Sequence, residues 1–82
     1  MENKSTRRNL YRVLRKTGVK RENIQLNASY NDDLKFDQVD WTLFIYYLES
    51  LFQIRLTDRD IEKMRSVSDT LTLLKGKKYI EY

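Results

Sequence analysis

Hydrophobic positions along the chain fall into clusters with helical spacing, separated by polar runs. Leu10, Val13 and Leu14 stand at i, i+3 and i+4, which predicts a narrow apolar stripe on a first helix over about residues 5–17. Gly18 is the expected stop just past its end. From 19 to 36 no period is visible, and Ile24, Leu26, Tyr30, Leu34 and Phe36 read as isolated anchors of a long loop. Such a loop is unusual inside a small domain. Asp37 is a good N-cap for a second helix over 38–52, whose core face is Phe44, Ile45, Leu48, Leu51 and Phe52. Val39, Trp41, Leu43, Tyr46 and Tyr47 add a second apolar surface. A helix apolar on most of its circumference is central or touches a partner. Thr57 with Asp60, and Ser66 with Asp69, have the spacing of capping boxes. They open helices over about 58–64 and 67–75, the last turning Val67, Leu71 and Leu74 inward and stopping at Gly76. Lys77 to Tyr82 form a tail with no assigned structure. The class is all-α, a small four-helix bundle.

Composition narrows the chemistry. With 82 residues the chain is expected to form one domain over 1–82, near the size where a single core suffices. No Pro and two Gly favour helices; no Cys and no His exclude Cys/His zinc sites and every His-based catalytic dyad. Hydrophobic content of 40% is enough for a packed core despite 34% charged residues. No apolar run reaches the length of a membrane span or resembles a signal peptide, so a cytoplasmic location is the expectation. Charge is uneven: residues 1–21 carry a net +7, residues 22–60 a net −5 and the remainder +2.

One run carries more information than the rest: Asn27-Ala28-Ser29-Tyr30-Asn31-Asp32-Asp33-Leu34-Lys35-Phe36-Asp37-Gln38-Val39-Asp40. It resembles the loop-to-helix segment of acyl carrier proteins, where an Asn-Ala-Ser-Phe-like stretch and an Asp-Leu pair precede an Asp-Ser-Leu motif at the start of a long helix. Gly18-Val19-Lys20 is similar to that family's first helix stop, Phe52-Gln53-Ile54-Arg55-Leu56-Thr57-Asp58 to the turn after the long helix, and Ser66-Val67 to the start of the last one. The resemblance spans about Leu10 to Lys75 and implies a bundle of the acyl carrier protein type, whose long loop between helices one and two accounts for residues 19–36. The family's Ser carries 4'-phosphopantetheine through a phosphodiester on its hydroxyl. Here Asp37 and Val39 match the flanks, and Gln38 takes the middle position. An amide does not attack a pyrophosphate as an alcohol does, so no phosphopantetheine and no other cofactor is expected. Ser29 lies outside the motif, and Thr42, one turn along, is expected to pack on neighbours. The basic first segment departs from a family known for acidic members.

In that family the second helix is the docking surface for enzymes. The residues expected to meet a protein partner here are Asp37, Val39, Asp40, Leu43, Tyr46 and Tyr47. Leu43 and Tyr47, at i and i+4, should form one outward ridge, with Asp40 and Glu49 as a charged rim that steers a basic partner. The plainer reading is that these side chains cover a thin core; the clustering of aromatics and the absence of Lys from this helix favour an interface. Arg8, Arg12 and Arg15 align on helix one and fit either phosphate contacts or a solvated face. With no aromatic interleaving and no base-reading motif, nucleic acid is disfavoured. Asp32 with Asp33, and the group Asp58, Asp60 and Glu62, read as cap and helix-start chemistry rather than acid/base or calcium sites, so no enzymatic activity is expected. The reading is a carrier-like, non-acylated adaptor that docks through helix two, in lipid or polyketide-type metabolism by analogy. An active carrier using an unexpected residue, and a basic phosphate- or membrane-binding domain, stay open, as does self-association.

Overall fold

The computed structural model describes residues 4–76, and helices dominate them. α1 spans Lys4–Thr17, α2 Gln38–Phe52, α3 Asp58–Lys63 and α4 Val67–Gly76, with a single 3-10 turn at Arg21–Asn23. No strand occurs among the described residues, only an isolated antiparallel bridge between Ser29 and Ser66. This is the small four-helix bundle with a long first connection that the hydrophobic pattern and the resemblance imply.

Local chemistry sets the helix ends. Gly18 has φ 115°, and it lets the Gly18 N–H reach the Arg15 carbonyl and the Val19 N–H the Leu14 carbonyl, both at 3.0 Å. Those two bonds satisfy carbonyls that the end of α1 would otherwise leave open. Asp37 accepts from the Asp40 N–H at 2.8 Å while Asp40 accepts from the Asp37 N–H at 3.1 Å, a reciprocal cap that starts α2. Thr57 and Asp60 do the same for α3, and Ser66 and Asp69 for α4. α2 closes on Gln53 in the left-handed region at φ 53°. Past Gly76, which α4 includes as its last residue, the Lys77–Tyr82 tail lies outside the described residues.

The core lies where three faces meet. Leu10, Val13 and Leu14 of α1, Phe44, Leu48 and Phe52 of α2, and Val67, Leu71 and Leu74 of α4 are buried together with Tyr30 of the loop and Met64. Two apolar residues expected inside are not: Leu26 is 41% exposed and Leu51 is 45% exposed. Leu26 serves the fold through its backbone, its carbonyl accepting from the Ser68 N–H at 2.8 Å. Leu51 lies beside a cleft between α1 and α2 that neither helix closes.

The long connection is pinned rather than loose. The Tyr30 N–H donates to the Arg65 carbonyl at 3.0 Å and the Val67 N–H to the Ala28 carbonyl at 3.1 Å, so the loop pairs with the α3–α4 junction. The Tyr30 hydroxyl then shares a 2.6 Å hydrogen bond with Thr70 inside the core. A loop with its backbone groups paired in this way meets the requirement that buried polar groups find partners.

Candidate functional site

The loop delivers the chain to the start of α2 over an aromatic floor. Tyr30, Phe36, Trp41 and Phe44 contact one another with ring centroids 4.9–6.0 Å apart, mostly tilted or edge to face. The Trp41 indole N–H donates to the Asn31 side-chain oxygen at 3.1 Å, tying helix to loop. Burial pushes the Tyr30 phenol well above its ordinary pKa; the bond from Thr70 opposes that shift and the nearby Asp69 charge adds to it. Tyr30 is therefore a neutral, structural hydroxyl. Lys35 adopts φ 55° just before Phe36, turning the chain into the cap at Asp37.

Above this floor Gln38 is the first residue of α2, and it is exposed. Its carboxamide nitrogen lone pair is delocalised into the carbonyl, so it offers no nucleophile for a phosphodiester. Thr42 is not packed on neighbours as expected. It is exposed, because among the described residues no element covers its side of α2, and its hydroxyl donates to the Gln38 carbonyl at 2.9 Å. Ser29 is occupied in the loop turn, its hydroxyl accepting from the Asp32 N–H at 3.2 Å.

The six residues expected to meet a partner separate into three roles. Asp37 and Asp40 hold the cap. Val39 at 65%, Leu43 at 37% and Tyr46 at 63% are exposed and lie on one outer face. Tyr47 departs from the expected ridge: it is half-buried, packs against the core and carries the Lys16 ammonium 5.7 Å from its ring centre. Its position one helical step from Tyr46 turns it toward α1. The exposed ridge is thus Val39, Leu43 and Tyr46. Leu51 follows Leu43 and Tyr47 at successive i+4 steps, a spacing that leads from the ridge to the cleft beside α1. Glu49 does not form a rim, since its carboxylate accepts from the Leu56 N–H at 2.8 Å across the α2–α3 turn.

No group of three or more His, Cys, Asp or Glu side chains is placed to hold a metal among the described residues. Nor is any described helix long and apolar enough to cross a membrane. No family model matches the chain. Comparison with individual proteins decides the family. The chain is 33% identical to the acyl carrier protein of Chlamydia felis over 63 residues, covering 77% of this chain and 81% of that protein. It belongs to the acyl carrier protein family. The acyl carrier protein of Chlamydia caviae is 32% identical over 63 residues, with 77% and 82% of the two chains covered. That of Chloroherpeton thalassium is 33% identical over 66 residues, covering 80% and 82%. These relatives are named as carriers rather than enzymes, and as a member of the acyl carrier protein family this chain combines the family's helical fold with Gln38 on the first position of α2.

Proposed function

We propose that this chain is a non-acylated member of its family, an adaptor that docks on a protein partner through the outer face of α2. The observation that carries the reading is Gln38, exposed at the start of α2, where the resemblance puts the attachment Ser. Asp37, Val39, Asp40, Leu43, Tyr46 and Tyr47 are the proposed partner-facing set, with Val39, Leu43 and Tyr46 as direct contacts. Asp37 and Asp40 hold the helix start, and Tyr47 braces the ridge from behind. Position 38 offers phosphopantetheine no nucleophilic hydroxyl. A cytoplasmic location and a place in lipid or polyketide-type metabolism rest on family membership alone.

A photo-crosslinking amino acid at Tyr46, in the chain expressed in its native cells, tests the docking face. A discrete protein adduct that Leu43→Ala abolishes is expected, while the same probe at exposed Arg59 of α3 should give none. Equal adducts at both positions, or none at Tyr46, would defeat the reading. Sedimentation of the purified chain separates a foreign partner from a second copy.

One observation favours a second reading, an active carrier using an unexpected hydroxyl: Thr42 is exposed on α2. Against it, Thr42 sits four residues into the helix, roughly 6 Å along the axis from position 38, where a transferase aligned on the helix start would not reach it.

A further inference from the structure

The ridge on α2 lies beside charge of the opposite sign to that of the helix carrying it. α2 contains only two acids, Asp40 and Glu49, and both carboxylates accept backbone N–H groups at the two ends of the helix. α1, packed alongside, contains six cations and no acid. Leu10, Val13 and Leu14 turn inward, which leaves Arg8, Arg12 and Arg15 exposed at i, i+4 and i+7 along the opposite face. Lys16 stands between this stripe and α2, over the Tyr47 ring. Between the helices runs a cleft of about 320 Å³ lined by Arg12, Val13, Lys16, Tyr47, Ser50 and Leu51.

Resting on the docking reading above, we infer that the partner segment is an acidic amphipathic helix. Its apolar side chains seat on the line Leu43, Tyr47 and Leu51 along the cleft, with Tyr46 at the outer margin, and its carboxylates face Arg12 and Lys16 at the cleft wall, with Arg15 beyond them. A groove between two packed helices suits a third helix laid along it, with apolar anchors spaced at i, i+3, i+4 and i+7. Complementary charge then sets register and speeds encounter. A second copy fits poorly, because a two-fold pairing of this face would bring one cationic stripe against the other. A bilayer fits poorly as well: α1 has already buried its apolar face and has none to insert, and a flat surface leaves the cleft unfilled. A nucleic acid would meet the cations but leave Leu43 and Leu51 against phosphate.

A displayed library of 16-residue amphipathic helices tests this, with fixed apolar anchors and flanking positions drawn from Asp, Glu, Ser, Lys and Arg, selected on the full chain. Enriched peptides should carry net negative charge. A synthetic representative should bind at least about tenfold more weakly to Leu43→Ala/Tyr46→Ala and to Arg12→Glu/Arg15→Glu. Both variants alter exposed residues, and circular dichroism confirms that they fold. Enrichment of basic or uncharged peptides, or of none, overturns the acidic-helix inference while the Tyr46 adduct can still stand. Acidic peptides indifferent to Leu43→Ala/Tyr46→Ala also overturn it, since charge alone would then hold them. So does tighter binding to phosphatidylcholine/phosphatidylserine vesicles or to a 20-base-pair DNA duplex than to the peptides.

Discussion

Tyr46 and Tyr47 are neighbours in sequence and in space, with ring centroids 5.6 Å apart, yet they should respond differently to truncation. Tyr46 is 63% exposed, so Tyr46→Ala removes little that folding buries and should change stability by less than about 0.5 kcal/mol. Tyr47 packs on the core edge and lies under Lys16. An aromatic side chain buries 150–250 Å² when fully enclosed, so a half-buried ring gives up roughly 100 Å². At about 25 cal/mol per Å² this is about 2.5 kcal/mol as an upper bound. Losing the cation–π contact adds about 0.5 kcal/mol at a partly exposed site. Tyr47→Ala should therefore cost about 2–3 kcal/mol, lowering Tm by roughly 8–24 °C in a domain of this size. Tyr46→Ala should move Tm by no more than roughly 4 °C. Thermal melts followed by circular dichroism at the helix band measure both. Equal Tm losses would place Tyr46 in the scaffold and remove it from the docking face. A Tyr47→Ala melt matching the wild type would return Tyr47 to the exposed ridge.

Leu48 is fully buried, so Leu48→Ala should destabilise by about 2–5 kcal/mol, and an unchanged urea midpoint would contradict its core position. Asp37→Ala removes the reciprocal cap of α2 and should cost about 0.5–2 kcal/mol, read from the same denaturation curves; a loss no larger than that of an exposed control would show that the cap adds nothing. Tyr30 has a folded-state pKa above its unfolded value, so its contribution is fully present below the unfolded pKa near 10 and is lost as pH rises through the folded one. The ultraviolet tyrosinate signal should accordingly lack one phenol until the chain unfolds in alkali, and Tyr30→Phe should remove that late step; complete ionisation of the folded chain near pH 10–11 would contradict the burial.

The features readable in the sequence were those decided by local chemistry. The caps at Asp37, Thr57 and Ser66 depend on residues three apart, and Gly18 on one backbone angle. The stripe of Leu10, Val13 and Leu14 followed from helical period. Exposure was harder, because it depends on which neighbour arrives. Leu51 has core spacing but faces an open cleft, Tyr47 looks outward on a helical wheel but meets α1, and Thr42 lies on a side that no described residue covers. Pairings across long separations were not readable: the Tyr30–Thr70 bond joins residues 40 apart, and the Ser29–Ser66 bridge needs the α3–α4 junction in place. The proposed partner-facing set was thus legible as a helix but not as a face. Which of its residues are free to touch another molecule became visible only with α1 packed alongside.

The proposal of a non-acylated adaptor is tested most directly by the intact mass of the native chain after co-expression with a broad-range phosphopantetheinyl transferase. An unmodified mass is expected, because position 38 carries an amide and the exposed Thr42 hydroxyl is displaced along the helix from the helix start. A single phosphopantetheine addition, on Thr42 or on any other residue, would contradict it and restore this chain to the carriers of its family.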